Sequence, residues 1–328
     1  MTMYHQLRQT VKTLVNNIRY PKRILVVRQK DHQSTYNDYF LYWVSQHYPE
    51  ARNLFEVHYL PCQISNWNRY ALFLPWLQDP LKERFPQIYT HAKQVEAQCE
   101  DYNIPVINPV DRLSNSIKSV AAKVIESVGL RTAKTVPITN LQEFRETLGG
   151  LSTPFFIRED WIHGSQPYFI QHPDEVQNVP FEKFIAPTAV EFIDTKGEDG
   201  LYRKYRYFAI GDEGIPGPLM FSDDWEVRNN KRVMEEALIA EEIAYFSGED
   251  PNHEKFQQAR KALGFDYMAF DYSYDTEGNI VVWEPNPFAV IWSERQEYRI
   301  PSLDRIYTAL LKFYLKRAGE RLHCSLML

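Results

Sequence analysis

The stretch that most restricts what this chain can fold into is "FDYMAFDYSYDTEGNIVVWEPNP", residues 265–287. Two apolar-rich runs flank a short polar segment ending in Gly278, a residue able to take positive φ in a tight turn, so the stretch reads as a β-hairpin. A turn centred on Glu277 and Gly278 sets Asp271 directly opposite Glu284. Residues two apart on a strand share a face, which brings Asn286 beside Glu284. Pro285 between them cannot donate to a ladder and suits a strand end. Two facing carboxylates repel one another, and a divalent cation between them converts that repulsion into binding. Asp, Glu and an amide oxygen are hard ligands of the kind Mg²⁺ takes, with waters and phosphate oxygens completing the octahedron. The competing reading is a hairpin end whose carboxylates are only solvated.

Upstream the element types alternate. "RILVV" (23–27) reads as a buried strand, "YNDYFLYWVSQHY" (36–48) as a helix with Ser34 or Asn37 near its start, and "LFEVHYL" (54–60) as a second strand. Strand, helix, strand implies a parallel βαβ unit. A helix over "FPQIYTHAKQVEAQCEDYN" and a strand over "IPVIN" (104–108) close a first domain, with Pro109 at its boundary. Ligands bind at strand C-termini of open α/β sheets, so Arg28, Asp31 and His32 after the first strand are candidate substrate contacts. Trp225 and Arg228 in "FSDDWEVRNN" are further candidates.

In "NPVDRLSNSIKSVAAKVIESVGL", Ile117, Val120, Ala121, Val124, Ile125 and Val128 fall on one helical stripe. Ser114 or Ser116 can cap its start, and Gly129 can end it. Lys118 sits in the first turn, where a cation is unfavourable unless an anion is held at the helix N-terminus. "PFFIREDWIHGSQPYFIQ" (154–171) reads as a hairpin whose loop contains Gly164 and Ser165 and whose first strand ends on Arg158. Such a loop lets backbone approach phosphate oxygens, and a guanidinium can hold them bidentately. In "LYRKYRYFAIG" (201–211), Lys204 and Arg206 share a face with Tyr202, Phe208 and Ile210. Two cations on a mostly apolar face need an anionic partner, either carboxylates of the fold or a phosphate.

Size and charge narrow the function. With 328 residues, 44% of them hydrophobic, the chain can bury large cores in two or three lobes. A net charge of -6 with both signs mixed leaves no footprint for nucleic acid or an anionic membrane. No apolar run approaches the ~20 residues of a membrane helix, and "MTMYHQLRQTVKTLVNN" lacks the apolar stretch of a signal peptide. A cytoplasmic protein without nucleic-acid or membrane partners is expected. Cys62, Cys99 and Cys324 are odd in number and far apart, in neither a metal spacing nor a disulfide framework. Near the C-terminus, Leu303, Ile306, Leu310, Leu311 and Tyr314 share a helical stripe, expected to pack on the C-terminal lobe.

The order of these motifs, with "AVEFID" between the hairpin and the cationic strand, resembles the ATP-grasp superfamily of carboxylate-amine and carboxylate-thiol ligases over residues 105–290. Glutathione synthetase and the ligases that modify a ribosomal protein are of this kind. The resemblance implies an α/β ATP-grasp fold: a Rossmann-like pre-ATP-grasp domain (1–108), a lid (109–187) and a C-terminal subdomain with the metal site (188–328). It implies that Asp271, Glu284 and Asn286 hold the Mg²⁺ bridging the β- and γ-phosphates of ATP. Lys118 matches a phosphate-contacting lysine, and Arg206 an arginine that steadies the transferred phosphoryl group. Glu191, Phe192 and Ile193 match the hinge that reads the adenine edge, with Asp194 a ribose contact. Arg158 stands where the family has a lysine, and Lys204, also a nucleotide-site candidate, where relatives often carry an acid; the single-glycine loop is a third departure. The implied reaction activates a small-molecule or peptide carboxylate as an acyl phosphate for attack by an amine. Kinases of the same fold that phosphorylate a hydroxyl, and an ATP-binding module without turnover, remain as alternatives. The chain also leaves room for a homodimer.

Overall fold

Seven consecutive buried residues make Arg23–Gln29 (β1) the centre of its sheet rather than an edge. Strands β2 (Phe55–Leu60) and β3 (Tyr70–Pro75) flank it, both parallel, in the order β2-β1-β3. Parallel neighbours need crossovers, and the helix Tyr36–His47 supplies the one between β1 and β2. In this computed structural model the described residues are 22–30, 36–77, 80–161, 166–228, 232–289 and 296–319. Asp31, His32 and Ser34, the side chain of Asn37, the loop residues Gly164 and Ser165, and Cys324 lie outside them.

Contacts divide the described chain into two units: residues up to Asp111 together with those from Leu303, and Arg112–Ala289 together with residues 296–302. Two expectations for the first unit are corrected. Residues 104–108 form no strand: Val106 makes only an isolated bridge to Phe73. Pro105, without an N–H, accepts from Phe73 N at 2.9 Å, and Asn108 turns to φ 54°. Their apolar pattern reflects burial, with Ile104 and Ile107 both enclosed. The third strand is instead β3, which the sequence reading passed over. The C-terminal helix Ile300–Ala318 likewise groups, from Leu303 onward, with the first unit and not with the C-terminal lobe. The cause is aromatic packing: Phe40 meets Tyr307 and Tyr314 edge-on at 5.6 and 5.8 Å, and Phe55 and Trp76 at 5.8 and 6.1 Å.

The second unit is built on two sheets. One has five strands in the order β10-β9-β11-β12-β4, from β4 (Arg131–Thr132), β9 (Tyr202–Ile210), β10 (Glu213–Ser222), β11 (Tyr267–Tyr274) and β12 (Ile280–Asn286). The other has four in the order β5-β8-β6-β7, from β5 (Thr135–Pro137), β6 (Phe155–Glu159), β7 (Tyr168–Ile170) and β8 (Pro187–Glu191). Alternation gives each strand a core face and an open face. On the larger sheet Tyr207 and Phe270 stack on Phe256 of the helix His253–Leu263, at 4.7 and 5.1 Å. On the smaller sheet Phe155, Ile157, Ile170 and Ala189 pack with Phe144, Leu151 and Val176. The helix Lys118–Ser127 ends before Gly129, which takes φ +81°.

Phe40 is 2% exposed and joins four rings of the first unit. Phe40→Ala is therefore expected to lower unfolding free energy by about 3–5 kcal/mol, read by urea denaturation.

Candidate active site

The core face of β9 takes Tyr205 and Tyr207, so Lys204 and Arg206 project to the opposite face of the sheet. Arg206 stands in register with Asp271 on β11, and Asp271 with Glu284 on β12. The expected facing of the two carboxylates is thus observed, reached through a β-bulge. Tyr272 pairs with Val282 while Asp271 pairs with Glu284, leaving Trp283 as the extra residue. Trp283 Nε1 donates to Ser273 Oγ at 2.7 Å, which anchors the bulge across the hairpin.

Asp271 is engaged from the side. Arg206 Nε donates to its Oδ1 at 2.6 Å and Nη2 to its Oδ2 at 2.8 Å, while Lys204 Nζ lies 3.7 Å from Oδ2. Burial pushes the Asp271 carboxyl up, and Arg206 and Lys204 overcome it, holding the group below its ordinary range and ionised. Burial pulls Arg206 down, and Asp271 more than offsets it, so the guanidinium ends raised. For Lys204 burial wins over Asp271 and the ammonium is lowered. Asn286 shares its strand with Glu284, and its Oδ1 accepts from Phe288 N at 2.8 Å.

The smaller sheet contributes Arg158. Its Nε is enclosed and has no hydrogen-bond partner among the described residues, and neither has Oγ1 of Thr188, its cross-strand neighbour on β8. Burial lowers the Arg158 guanidinium, opposed first by the charge of Glu284 and reinforced by that of Arg228. Arg228, a candidate from the sequence, pairs with Glu226 at 2.7 Å. Trp225, the other, lies 4.3 Å from Phe156 and 5.3 Å from Phe169, and both of those rings also meet Phe192. The β6 alternation of Phe156 and Arg158 could have pointed to this aromatic patch.

Lys118 is held close by: its Nζ donates to the Asp160 carbonyl at 3.2 Å. The Asp160 carboxylate accepts from Ser119 N at 2.9 Å and Ser119 Oγ at 2.6 Å. An anion does sit at this helix N-terminus, as a cation in the first turn requires, and it is Asp160. The N-cap position falls on Ile117, which offers no side-chain cap, and Ser116 Oγ turns back to donate to Leu113 O. At the expected hinge, Glu191 N donates to Lys134 O and Glu191 Oε2 accepts from Lys134 N, both at 2.9 Å. Ile193 is buried against Ala133 and Val281, and Asp194 Oδ1 accepts from Lys196 N at 3.0 Å.

Among the described residues no three His, Cys, Asp or Glu side chains gather as a metal cluster. The donor set at the hairpin end is two carboxylates and an amide, which suits Mg²⁺, an ion bound through one or two carboxylates and otherwise by water and phosphate. A carboxylate offers about four lone-pair sites, so Arg206 does not exhaust Asp271.

No family model matches the chain, and no curated protein matches it. Solved structures do. The ATP-grasp ligase PsnB, complexed with minimal precursor, Mg and ADP, aligns with a TM-score of 0.55 at 12% identity, over 89% of this chain and 97% of that one. The VanG D-Ala:D-Ser ligase from Enterococcus faecalis aligns with a TM-score of 0.55 at 16% identity, over 90% and 100%. The macrocyclase MdnC from Microcystis aeruginosa MRC, bound with precursor peptide MdnA, gives 0.55 at 10% identity, over 89% and 99%. The chain therefore has the ATP-grasp fold, the α/β architecture of these ligases. Among the described residues no helix is long and apolar enough to cross a membrane.

Removing one partner of a buried ion pair strands the other, at a cost of about 3–5 kcal/mol. Asp271→Asn is expected to show that loss in urea denaturation, and Asp271→Leu combined with Arg206→Met to recover most of it.

Proposed function

We propose that the chain is an ATP- and Mg²⁺-dependent carboxylate-amine ligase that forms an amide or peptide bond and releases ADP. The observation that carries this reading is Arg158. A half-buried guanidinium whose enclosed Nε–H is unsatisfied, beside Thr188 and within electrostatic reach of Glu284, is what a nucleotide phosphate would complete. Precursor peptides bound to PsnB and MdnC, and Mg and ADP on PsnB, support the same assignment.

In this reading the lid (109–187) and the C-terminal subdomain (188–328) hold ATP between them. Glu191, Phe192 and Ile193 take the base, Asp194 the ribose, and Lys118, Arg158 and Lys204 the phosphates. The γ-phosphoryl group passes to a carboxylate oxygen of the substrate as its bond to the β-phosphate oxygen breaks. The amine then attacks the acyl carbon, loses a proton, and inorganic phosphate leaves. Such a transfer asks the protein for positioning and charge stabilisation rather than for a side-chain nucleophile. Arg158, Lys204 and Arg206 supply positive charge that is partly desolvated before reaction. Asp271, Glu284 and Asn286 would hold Mg²⁺, which neutralises charge on the phosphates. Phe156, Phe169, Phe192 and Trp225 keep water from the base side of the site. The substrates are a small-molecule or peptide carboxylate and an amine, in keeping with a chain that carries no nucleic-acid or membrane footprint.

The test is ADP release by the purified chain with ATP, Mg²⁺ and mixed amino acids or peptides. The ligase releases ADP only when carboxylate and amine are both present; a kinase needs one acceptor, and a binding module releases none. Glu284→Gln is expected to abolish turnover with the fold intact by circular dichroism, and survival within tenfold of wild type would remove the metal assignment. Arg206→Ala is expected to lower kcat on the order of 100-fold, the usual effect of losing one preorganised electrostatic donor. Lys118→Ala should instead raise KM for ATP, and steady-state kinetics at saturating acceptor separates the two.

A further inference from the structure

Away from the residues assigned to nucleotide and metal, the second unit encloses another glutamate. Glu242, on the helix Glu236–Ser247, is 1% exposed. Its Oε2 accepts from Arg232 Nη2, Arg299 Nη2 and the Tyr298 hydroxyl, each at 2.9 Å, and its Oε1 lies 2.6 Å from Arg299 Nη2. The two arginine side chains are only 5% and 8% exposed. Among the described residues, one carboxylate between two guanidinium groups leaves one positive charge in excess. Three of the guanidinium nitrogens, Arg232 Nε, Arg232 Nη1 and Arg299 Nε, have no hydrogen-bond partner among the described residues, and Glu242 Oε1 accepts none. The same holds for Ser302 Oγ, one helical turn beyond Arg299.

Buried donors in folded proteins are satisfied, and each exception calls for a cause. Glu242 does not account for them: three donors already converge on Oε2, and Oε1, in ion-pair contact with Arg299, offers one acceptor against three open nitrogens. A purely structural triad would need only enough N–H groups to hold the glutamate, whereas this one keeps surplus donors and surplus charge together. We propose that Arg232 and Arg299, braced by Glu242, form a binding site for the carboxylate group of a small monocarboxylic acid. A planar carboxylate matches guanidinium N–H geometry, and a single negative charge neutralises the excess. A phosphate dianion would add charge beside Glu242 and overshoot it. The site does not depend on the ligase reading, and it is tested without nucleotide.

The experiment uses the full chain with acetate as probe, against chloride and inorganic phosphate at matched ionic strength, read as thermal stabilisation and by calorimetric titration. A ligand bound only by the native state raises Tm saturably. Acetate is expected to do so, and chloride and phosphate are not. Glu242→Gln keeps the side-chain shape and removes the competing negative charge, so it is expected to bind acetate more tightly, on the order of tenfold. The double variant Arg232→Lys with Arg299→Lys retains charge but loses the fork, and its acetate response should vanish. The proposal is overturned by equal effects of acetate and chloride, by a preference for phosphate, or by an acetate response that survives in the double variant. Should the lysine variants not fold, wild type against Glu242→Gln decides alone: no gain in acetate affinity overturns the site.

Discussion

The second unit turns on one ion pair, Arg206 with Asp271, formed between neighbouring strands in the middle of a five-stranded sheet. Strands β9 and β11 give one face to rings that stack under helices, and that face alone would hold them together. The other face carries two cations, and without a carboxylate at position 271 neither could remain enclosed and charged. The pair therefore decides whether the site can exist before any ligand arrives. A hydrophobic pair in its place would serve stability as well or better, so its presence speaks for a demand that stability does not make.

How much of this was legible in the sequence depends on how local each determinant is. The opposition of Asp271 and Glu284 was read from a turn centred on Glu277 and Gly278, whereas the pairs next to the turn, Tyr274 with Ile280 and Ser273 with Val281, centre it on Glu277, and the bulge restores the facing. The bulge at Trp283 was not legible, because it rests on an indole bond to Ser273 that pattern alone does not announce. Alternation put Lys204 and Arg206 on one face but left open whether fold or ligand neutralises them; Asp271, 65 residues away in sequence, answers for Arg206. Asp160's part at the start of the helix Lys118–Ser127 was missed for the same reason, since it arrives from another element.

The fold shows a matching division. β1 and β2 were readable as buried apolar runs on either side of a helix. β3 went unread although it is buried throughout, while "IPVIN" looked like a strand because its isoleucines are enclosed. Burial and pairing are separate properties, and an apolar run reports only the first. The C-terminal helix makes the same point. Its stripe was correctly seen as a buried face, but amphipathicity carries no address, and the rings of Phe40, Tyr307 and Tyr314 supply it.

Two cationic clusters in one unit each hold one cation more than carboxylates, and they differ in how many carboxylates and how many open donors they keep. Around Asp271 the charges of Lys204, Arg206 and Arg158 meet those of Asp271 and Glu284, an excess of one positive charge, and Arg206 and Lys204 hold Asp271 ionised. A site of that kind can take a polyanion together with a cation, because the pair brings little net charge. Around Glu242 two arginines face one carboxylate, with donors left over. That cluster gains from an anion alone, and a further cation would only compete for Glu242. In the two proposed readings the clusters use the same residue types differently: a pair of carboxylates that can share a cation around Asp271, and guanidinium donors left over around Arg232 and Arg299.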